Sequence, residues 1–548
     1  MSRLTKTSLL LAFFFALDKI AALLRQIIIA RQFGMSAELD SFNVANNLPD
    51  MLFALISGGA LAIAFIPVLS EVLSRQGRGA AWELFSRIAN LAFLVTGLLA
   101  IVIALMADSL VRWEIGIAPG FGPEQQRLVV TLMRMNLVAT LIFSISGLIM
   151  AGLQANQHFL LPAMAPLLYN IGQIVGALIL SPEKGYVLGG IPLPAFGLGI
   201  HGLVYGVILG AVLHLGIQIP GLIKYQFRWT AGLGLCLPDV QKVIHLLGPR
   251  LITMLFIQLI FIVRDNLASR LHEGAVTALT YGWMIQQLPE TLIGTAIGTA
   301  LLPTLAEQFA RGDREAFQQT IQRAVNLLVA VTLPIAVILS FGLRPAMAFA
   351  FGFDPQGTDL LLWVTRGYLV GLTGHCLLEI ASRSFYAQQD ALTPLIGGII
   401  NVLIYIILGR LLFRPLGAAG ISFTDAVAFT SQAVFLLFML RWYPKVHTGI
   451  GQRISALTGK QYSLPHWLAR MAGRPDVKQG RMTANVDPKG TLIRACIAAV
   501  IGGLISAWSL WLGGNGLSLL IASVVGMGIG GMVCLPLVWK ELKHFRRL

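Results

Sequence analysis

Residues 46–71 read NNLPDMLFALISGGALAIAFIPVLSE and residues 286–307 read QQLPETLIGTAIGTALLPTLAE. Each begins with two side-chain amides, a Leu-Pro and an acid, and each runs through small apolar residues to a Pro-x-Leu-x-Glu ending at Glu71 or Glu307. Pro49 and Pro67 are 18 residues apart and Pro289 and Pro303 are 14 apart, a difference of about one helical turn. Gly34 and Gly274 each stand 15 residues ahead of the Leu-Pro proline. A second echo, in the same order, joins Ala155-Asn156-Gln157 and Pro162 to Ala387-Gln388-Gln389 and Pro394. Self-similarity at this spacing marks a duplicated bundle, an arrangement with which many transporters build a central site between two halves.

The surroundings of these stretches set the class. Of 548 residues, 56% are hydrophobic and 12% charged, and the mean hydropathy is +0.76. Soluble domains carry about 25% charged residues, so a soluble enzyme, a disordered chain and a disulfide scaffold are excluded. Apolar runs of about 20 residues, enough to cross about 30 Å of hydrocarbon as helix, recur at about 8–30, 42–70, 84–107, 127–152, 159–181, 197–223, 245–270, 276–303, 321–343, 360–386, 391–412, 418–440, 490–512 and 516–539. The expected fold is all-α and polytopic, with about 14 transmembrane helices in two six-helix lobes plus two C-terminal helices. The expected domains are 1–230 for spans 1–6, 231–445 for spans 7–12, a basic loop at 446–489, and 490–548 for spans 13 and 14 with the tail. Asp18, Lys19 and Arg25 interrupt the apolar segment after Arg3 and Lys6, so it reads as a retained first span rather than a signal peptide.

A net charge of +15 suggests nucleic acid in a soluble chain, but here the basic residues punctuate apolar spans and act as topology signals. Arg75, Arg78, Arg87, Lys224, Arg228, Lys242, Arg311, Arg314 and Arg323, the nine basic residues of 441–489 and the tail from Lys540 all fall on the side of the termini. By the positive-inside rule both ends are cytoplasmic; Arg410 and Arg414 run against it. The four cysteines, Cys236, Cys376, Cys496 and Cys534, show neither a metal-site nor a disulfide spacing and read as buried thiols. No Walker loop, HExxH or GxSxG is present, so neither an enzyme nor an ATP-driven pump is expected.

A charge near the bilayer centre costs at least about 2.5–3.5 kcal/mol, so charged spans locate a polar cavity. Asp18 and Arg25 lie seven residues apart, within about 20° on one helical face, with Lys19 one step round. Arg250, Arg264 and Asp265 occupy span 7, Arg127 and Arg134 span 4, Arg366, His375, Glu379 and Arg383 span 10, and Asp425 span 12. Glu379 and Arg383 read as an i,i+4 pair, His375 as a satisfied core histidine, and Asp40, Asp50 and Glu290 equally as helix caps or interfacial groups. Lys19, Arg25 and Arg264 have no evident mate. This basic balance suits an anionic ligand such as a diphosphate, held by charge-assisted hydrogen bonds.

Arg25-Gln26-Ile27-Ile28-Ile29-Ala30-Arg31-Gln32-Phe33-Gly34, Asp40, Leu48-Pro49, Ala64-Phe65-Ile66-Pro67, Pro162-Ala163-Met164-Ala165-Pro166, Asn170, Gly248-Pro249, Leu302-Pro303, Phe385-Tyr386-Ala387, Asp390, Thr393 and Pro394 together resemble the MurJ/MviN lipid II flippase family. That family belongs to the multidrug/oligosaccharidyl-lipid/polysaccharide exporter superfamily. The resemblance implies a flippase that moves an undecaprenyl-diphosphate-linked peptidoglycan precursor across the bacterial inner membrane by alternating access of two lobes around a hydrated basic cavity. It implies Lys19, Arg25 and Asp40 as substrate-binding positions. Sodium or proton coupling follows from it, with Asp265 and Asn401 as ion-coupling candidates. Phe53 and Met284 stand where the family has arginines, and Arg264, Arg250 or Arg134 is expected to supply the missing charge. Expected partners are the lipid-linked anionic substrate and membrane lipids, without nucleic acid and with the chain a monomer; no resident cofactor or metal is expected. Two readings compete: an exporter of another lipid-linked oligosaccharide or of organic cations, and a non-transporting scaffold for cell-envelope assembly.

Overall fold

The computed structural model describes residues 3–57, 59–458, 488–513 and 516–545. Inside a bilayer the backbone has no water to bond, so each spanning segment must satisfy its own amides, which a helix does. The chain accordingly folds as α1 (Arg3–Phe33), α2 (Ala37–Leu52), α3 (Gly59–Arg112), α4 (Pro123–Ala155), α5 (Leu160–Val175), α6 (Ile200–Gly216), α7 (Ile219–Lys224) and α8 (Pro238–Ala268). It continues as α9 (Ala275–Glu290), α10 (Ala296–Ala310), α11 (Arg314–Phe351), α12 (Pro355–Val370), α13 (Leu372–Ala387), α14 (Leu392–Thr458), α15 (Pro488–Leu512) and α16 (Leu517–Phe545). Extended pairing among the described residues is confined to a two-residue hairpin, β1 (Val187–Leu188) with β2 (Ile191–Pro192). Each of the fourteen expected spans falls on helix. Among the described residues, eight helical segments are long and apolar enough to cross a membrane by length and composition, including 65–112, 314–351 and 392–441.

Two long helices change direction at a glycine. Gly77 inside α3 has φ 84° and ψ −177°, and Gly417 inside α14 has φ 58° and ψ −143°. A side chain bearing Cβ rarely adopts this backbone conformation, so these residues divide the second expected span from the third and the eleventh from the twelfth. Helix α14 then runs on to Thr458, into the segment expected as loop, and residues 459–487 lie outside the described residues. Cys376 and Cys534 are buried thiols as expected, whereas Cys236 and Cys496 are exposed.

The sequence echoes are structural. Pro49 lies inside α2, which passes into a π turn at Phe53–Ser57, and Pro289 lies inside α9, which passes into a π turn at Thr291–Thr295. A proline lacks the amide proton that would close its own helical turn, and the wide turn follows in both copies. Gly34 and Gly274 both take positive φ. The second echo matches more closely still: Gln157 and Gln389 are left-handed, with φ 58° and 61°. The amide of His158 then bonds the carbonyl of Leu153 at 2.9 Å, as that of Asp390 bonds Phe385 at 3.0 Å, closing both helices in the same way.

The chain gathers into two compact units, one of residues 1–280 with 347–360 and one of residues 281–346 with 361–548. This division runs differently from the lobe boundary expected after residue 230. Val240 and Val243 of α8 are buried in the core built by Phe65, Leu69, Trp82, Phe85 and Leu148, which holds α8 in the first unit. In the second unit, Leu301, Leu305, Phe317 and Leu328 pack with Leu369, Leu372 and Ile380. There α15 and α16 dock on α11, where Ser506 and Ser523 donate to the carbonyls of Ile338 and Gly342 at 3.2 and 2.6 Å.

Between lipid-soluble helices no hydrophobic force favours contact, so small residues that let backbones touch must supply the packing. Gly172 and Gly176 of α5 and its π turn meet Gly210 and Gly206 of α6, and a Cβ added at Gly172 would lie 2.3 Å from Gly210 Cα. Replacing Gly172 by leucine therefore forces the two helices apart, at a cost of about 1–3 kcal/mol for an overpacked core. We expect the Gly172→Leu protein to melt well below the parent in detergent, whereas Gly79→Leu, at a position with no heavy atom within 4 Å of the added Cβ, leaves the melting temperature unchanged.

Candidate functional site

In the first unit the charged face of α1 rests on α5. Asn170 donates from Nδ2 to Asp18 Oδ1 at 2.8 Å, which ties down the acid and leaves Lys19 beside it exposed. The half-buried Arg25 guanidinium lies 5.9 Å from the centre of the Tyr169 ring, and its buried Nε has no hydrogen-bond partner. Asp50, exposed at the end of α2, lies in the field of the same guanidinium. Phe53 stands where a second arginine was expected, and its ring packs on Phe143 at 5.3 Å, which in turn meets Tyr169 at 5.1 Å. An apolar aromatic wall therefore borders Arg25.

Two expected substrate contacts have other partners. Asp40 is buried, and it accepts from the amides of Gly274 and Thr277, both at 2.7 Å, and from the Thr277 hydroxyl at 2.6 Å. It caps the start of α9 from across the unit, supplying the acceptors that the first turn of a helix lacks, so its bonds here are to the protein itself. Arg264 donates from Nε to Asp265 Oδ1 at 2.8 Å, and the other oxygen of Asp265 accepts from Asn47 at 2.7 Å. The charge expected to be open at Arg264 is thus neutralised, and Asp265 is committed to the same pair. Arg134 lies 3.1 Å from Asp108, an acid it shares with Arg112 at 2.9 Å, and this group is about half exposed; the Arg250 side chain lies outside the described residues. Asn401 belongs to the second unit, where its Nδ2 donates to Gln432 at 2.8 Å, while Asp265 belongs to the first. Met284 is half-buried on α9.

The second unit contains a polar cluster that the sequence reading left as separate residues. His375 Nε2 lies 2.9 Å from Asp425 Oδ2 and His375 Nδ1 lies 3.9 Å from Glu290 Oε1. Gln286 donates to Glu290 at 3.2 Å. Trp283 and Phe429 enclose the imidazole, with ring centres 5.4 and 4.2 Å away. Glu379 and Arg383 form the expected pair at 2.8 Å, and Arg383 also donates to the Thr295 carbonyl at 2.9 Å. The available signal was the repeat itself. Glu290 occupies the position of Asp50 in the first copy, and each acid lies near a basic group on another helix.

Spans that carry buried, paired charges, broken helices in duplicate and an apolar exterior define a polytopic membrane protein with a transporter fold. The chain belongs to the family described as lipid II flippase MurJ, whose profile matches residues 29–473. It is 30% identical over 439 residues to the lipid II flippase MurJ of Burkholderia cenocepacia, covering 78% of this chain and 82% of that one. Its fold is that of a solved lipid II flippase MurJ in an inward closed conformation, with a TM-score of 0.73 at 20% identity over 97% of this chain and 99% of the other. An inward-facing multidrug resistance transporter of the MATE family and MOP superfamily has the same fold more distantly, with a TM-score of 0.61 at 16% identity over 81% of this chain and 96% of that one.

The pairing of Arg264 separates packing from ligand binding. Removing one partner of a buried pair costs about 3–5 kcal/mol, while replacing both by apolar residues is close to neutral. Thermal unfolding in detergent should show a large loss for Arg264→Met and partial recovery in Arg264→Met/Asp265→Leu, which removes the uncompensated charge but leaves the Asn47 donor without its acceptor. Asp40→Ala should destabilise by about 1–3 kcal/mol for each buried donor left without an acceptor; an unchanged melting temperature would restore Asp40 to the ligand.

Proposed function

We propose that this chain is a bacterial inner-membrane flippase for lipid II, the diphosphate-linked peptidoglycan precursor. The observation that carries this reading is the family match over residues 29–473; relatives that share most of its length are named for that cargo. The site agrees in chemistry. A guanidinium and a carboxylate on membrane helices cannot face hydrocarbon without a cost of several kcal/mol, so Arg25, Asp50 and Lys19 line water. A hydrated basic recess lets a diphosphate-sugar head cross while its polyprenyl tail stays in lipid.

In this reading Arg25 is the principal diphosphate contact, since its Nε has no partner within the protein, and the exposed Lys19 adds a second cation on the same helix. Arg264 and Asp40 support the helices that frame the recess. The chain crosses the membrane fourteen times as a monomer, keeps both termini cytoplasmic, and performs no bond-making chemistry. Alternating access of its two repeats is driven by an ion gradient, of sodium or protons. One observation favours a second cargo within the same mechanism. Phe53 and Met284 replace expected arginines, which fits a lipid-linked oligosaccharide whose head needs fewer cationic contacts.

Proteoliposomes loaded with fluorescent lipid II and treated with an impermeant quencher test the assignment. Loss of a charge-assisted hydrogen bond of about 1.5–3 kcal/mol predicts at least a tenfold slower exchange of leaflets in Arg25→Ala, partial recovery in Arg25→Lys, and unchanged melting. Full activity of Arg25→Ala would refute the diphosphate assignment. Mass spectrometry of co-purified lipid distinguishes lipid II from another polyprenyl-linked sugar.

A further inference from the structure

In the second unit, α9, α13 and the second half of α14 bring Glu290, His375 and Asp425 together inside a membrane-embedded bundle. The imidazole side chain is 2% exposed, Asp425 5% and Glu290 15%, so the cluster runs from a dry interior to a wetter edge at Glu290. An ionised Asp425 can only accept, which makes Nε2 the donor in the 2.9 Å contact and leaves Nδ1 turned toward Glu290. The 3.9 Å separation there is too long for a hydrogen bond. Gln286 is fully buried and donates to Glu290, yet its own carbonyl oxygen has no partner. Buried polar atoms are normally satisfied, and an acceptor left open on the residue that bonds the Glu290 carboxylate calls for a positive or hydrogen-bond-donating species.

We propose that Glu290, His375 and Asp425 form a proton-binding site, loaded through Glu290 and held at His375 Nδ1. The added proton passes from hydronium to a Glu290 oxygen, releasing water, and then from that oxygen to Nδ1, which restores the Glu290 carboxylate. The three groups go from a total charge of −2 to −1, and Nε2–H stays on Asp425 throughout. The imidazolium then donates at both nitrogens and draws Glu290 toward α13. Glu290 is the last residue of α9 before the π turn at Thr291–Thr295, so loading fastens this break and release frees it.

Among the described residues, the charged groups facing the imidazole are Glu290, Asp425 and Glu379. Glu379 lies on its own helix and is neutralised by Arg383 at 2.8 Å, leaving Glu290 from α9 and Asp425 from α14 as the carboxylates that respond. A metal ion fits less well. Among the described residues no group of three His, Cys, Asp or Glu side chains is spaced for a metal.

Trp283 gives a local readout because its ring centre lies 5.4 Å from that of His375, close enough for a cationic imidazolium to alter indole emission. The difference spectrum between the parent and Trp283→Phe, recorded in detergent over roughly pH 5–8 where imidazoles titrate, isolates this indole from the other tryptophans. We expect a one-proton transition that vanishes in His375→Asn and moves in Glu290→Gln. A flat difference spectrum, or a transition that survives His375→Asn, overturns the proposal. Should His375→Asn fail to fold, His375→Gln takes its place, and the flat spectrum alone remains decisive.

That this proton drives transport rests on the flippase reading. An imposed pH gradient should change the rate of lipid II exchange several-fold in the parent and leave His375→Gln indifferent. If the parent moves no lipid II under any gradient, the cargo assignment fails while the emission transition stands. Equal rates with and without the gradient overturn the coupling.

Discussion

Hydrocarbon cannot satisfy a backbone amide or a charged side chain, and the organisation of this chain follows from that constraint. The peptide groups pair within helices, and among the described residues several charges on the membrane segments find a mate: Arg264 with Asp265, Arg134 with Asp108, Arg383 with Glu379, His375 with Asp425. Helices meet where glycines allow backbone contact, as at Gly172 and Gly210. The buried Arg25 Nε is among several polar atoms without a partner, as are those of Arg323 and Arg494, and it lies on the charged face of α1. A group left in that state in a low-dielectric interior carries a desolvation penalty of about 1–3 kcal/mol or more, which a ligand oxygen removes.

The two repeats answer the same constraint with different chemistry. Each has a Leu-Pro-acid sequence ending in a wide turn, and in each the acid, Asp50 or Glu290, is set near a basic group on a neighbouring helix. In the first unit the base is a guanidinium, permanently charged, which suits an anionic head group. In the second it is an imidazole, whose charge changes near neutral pH. Duplication thus supplied two equivalent polar breaks whose basic partners have diverged, one to a guanidinium and one to an imidazole.

Much of the fold was legible because it rests on local signals. Apolar run length marked the helices, and the paired echoes of Pro49 with Pro289 and of Gln157 with Gln389 marked the repeat, down to the same left-handed residue closing both helices. The site was legible only in part, because ion pairs are long-range facts. The donors that occupy Asp40 lie 234 and 237 residues away, and His375 meets Asp425 across 50 residues; no spacing rule reaches so far. Arg264 and Asp265 failed for the opposite reason. Adjacent residues point about 100° apart on a helix, which argues against contact, but the long arginine stem folds back far enough to reach its neighbour.

The backbone contact between α5 and α6 has a mechanical implication. Where Gly172 and Gly210 leave no room even for a methyl group, the two backbones are in direct contact and a displacement of one presses on the other. Tyr169 and Asn170, which hold the charged face of α1, are carried on α5. A tilt of α6 would therefore carry α5 with it and, through Tyr169 and Asn170, the face of α1 that bears Arg25.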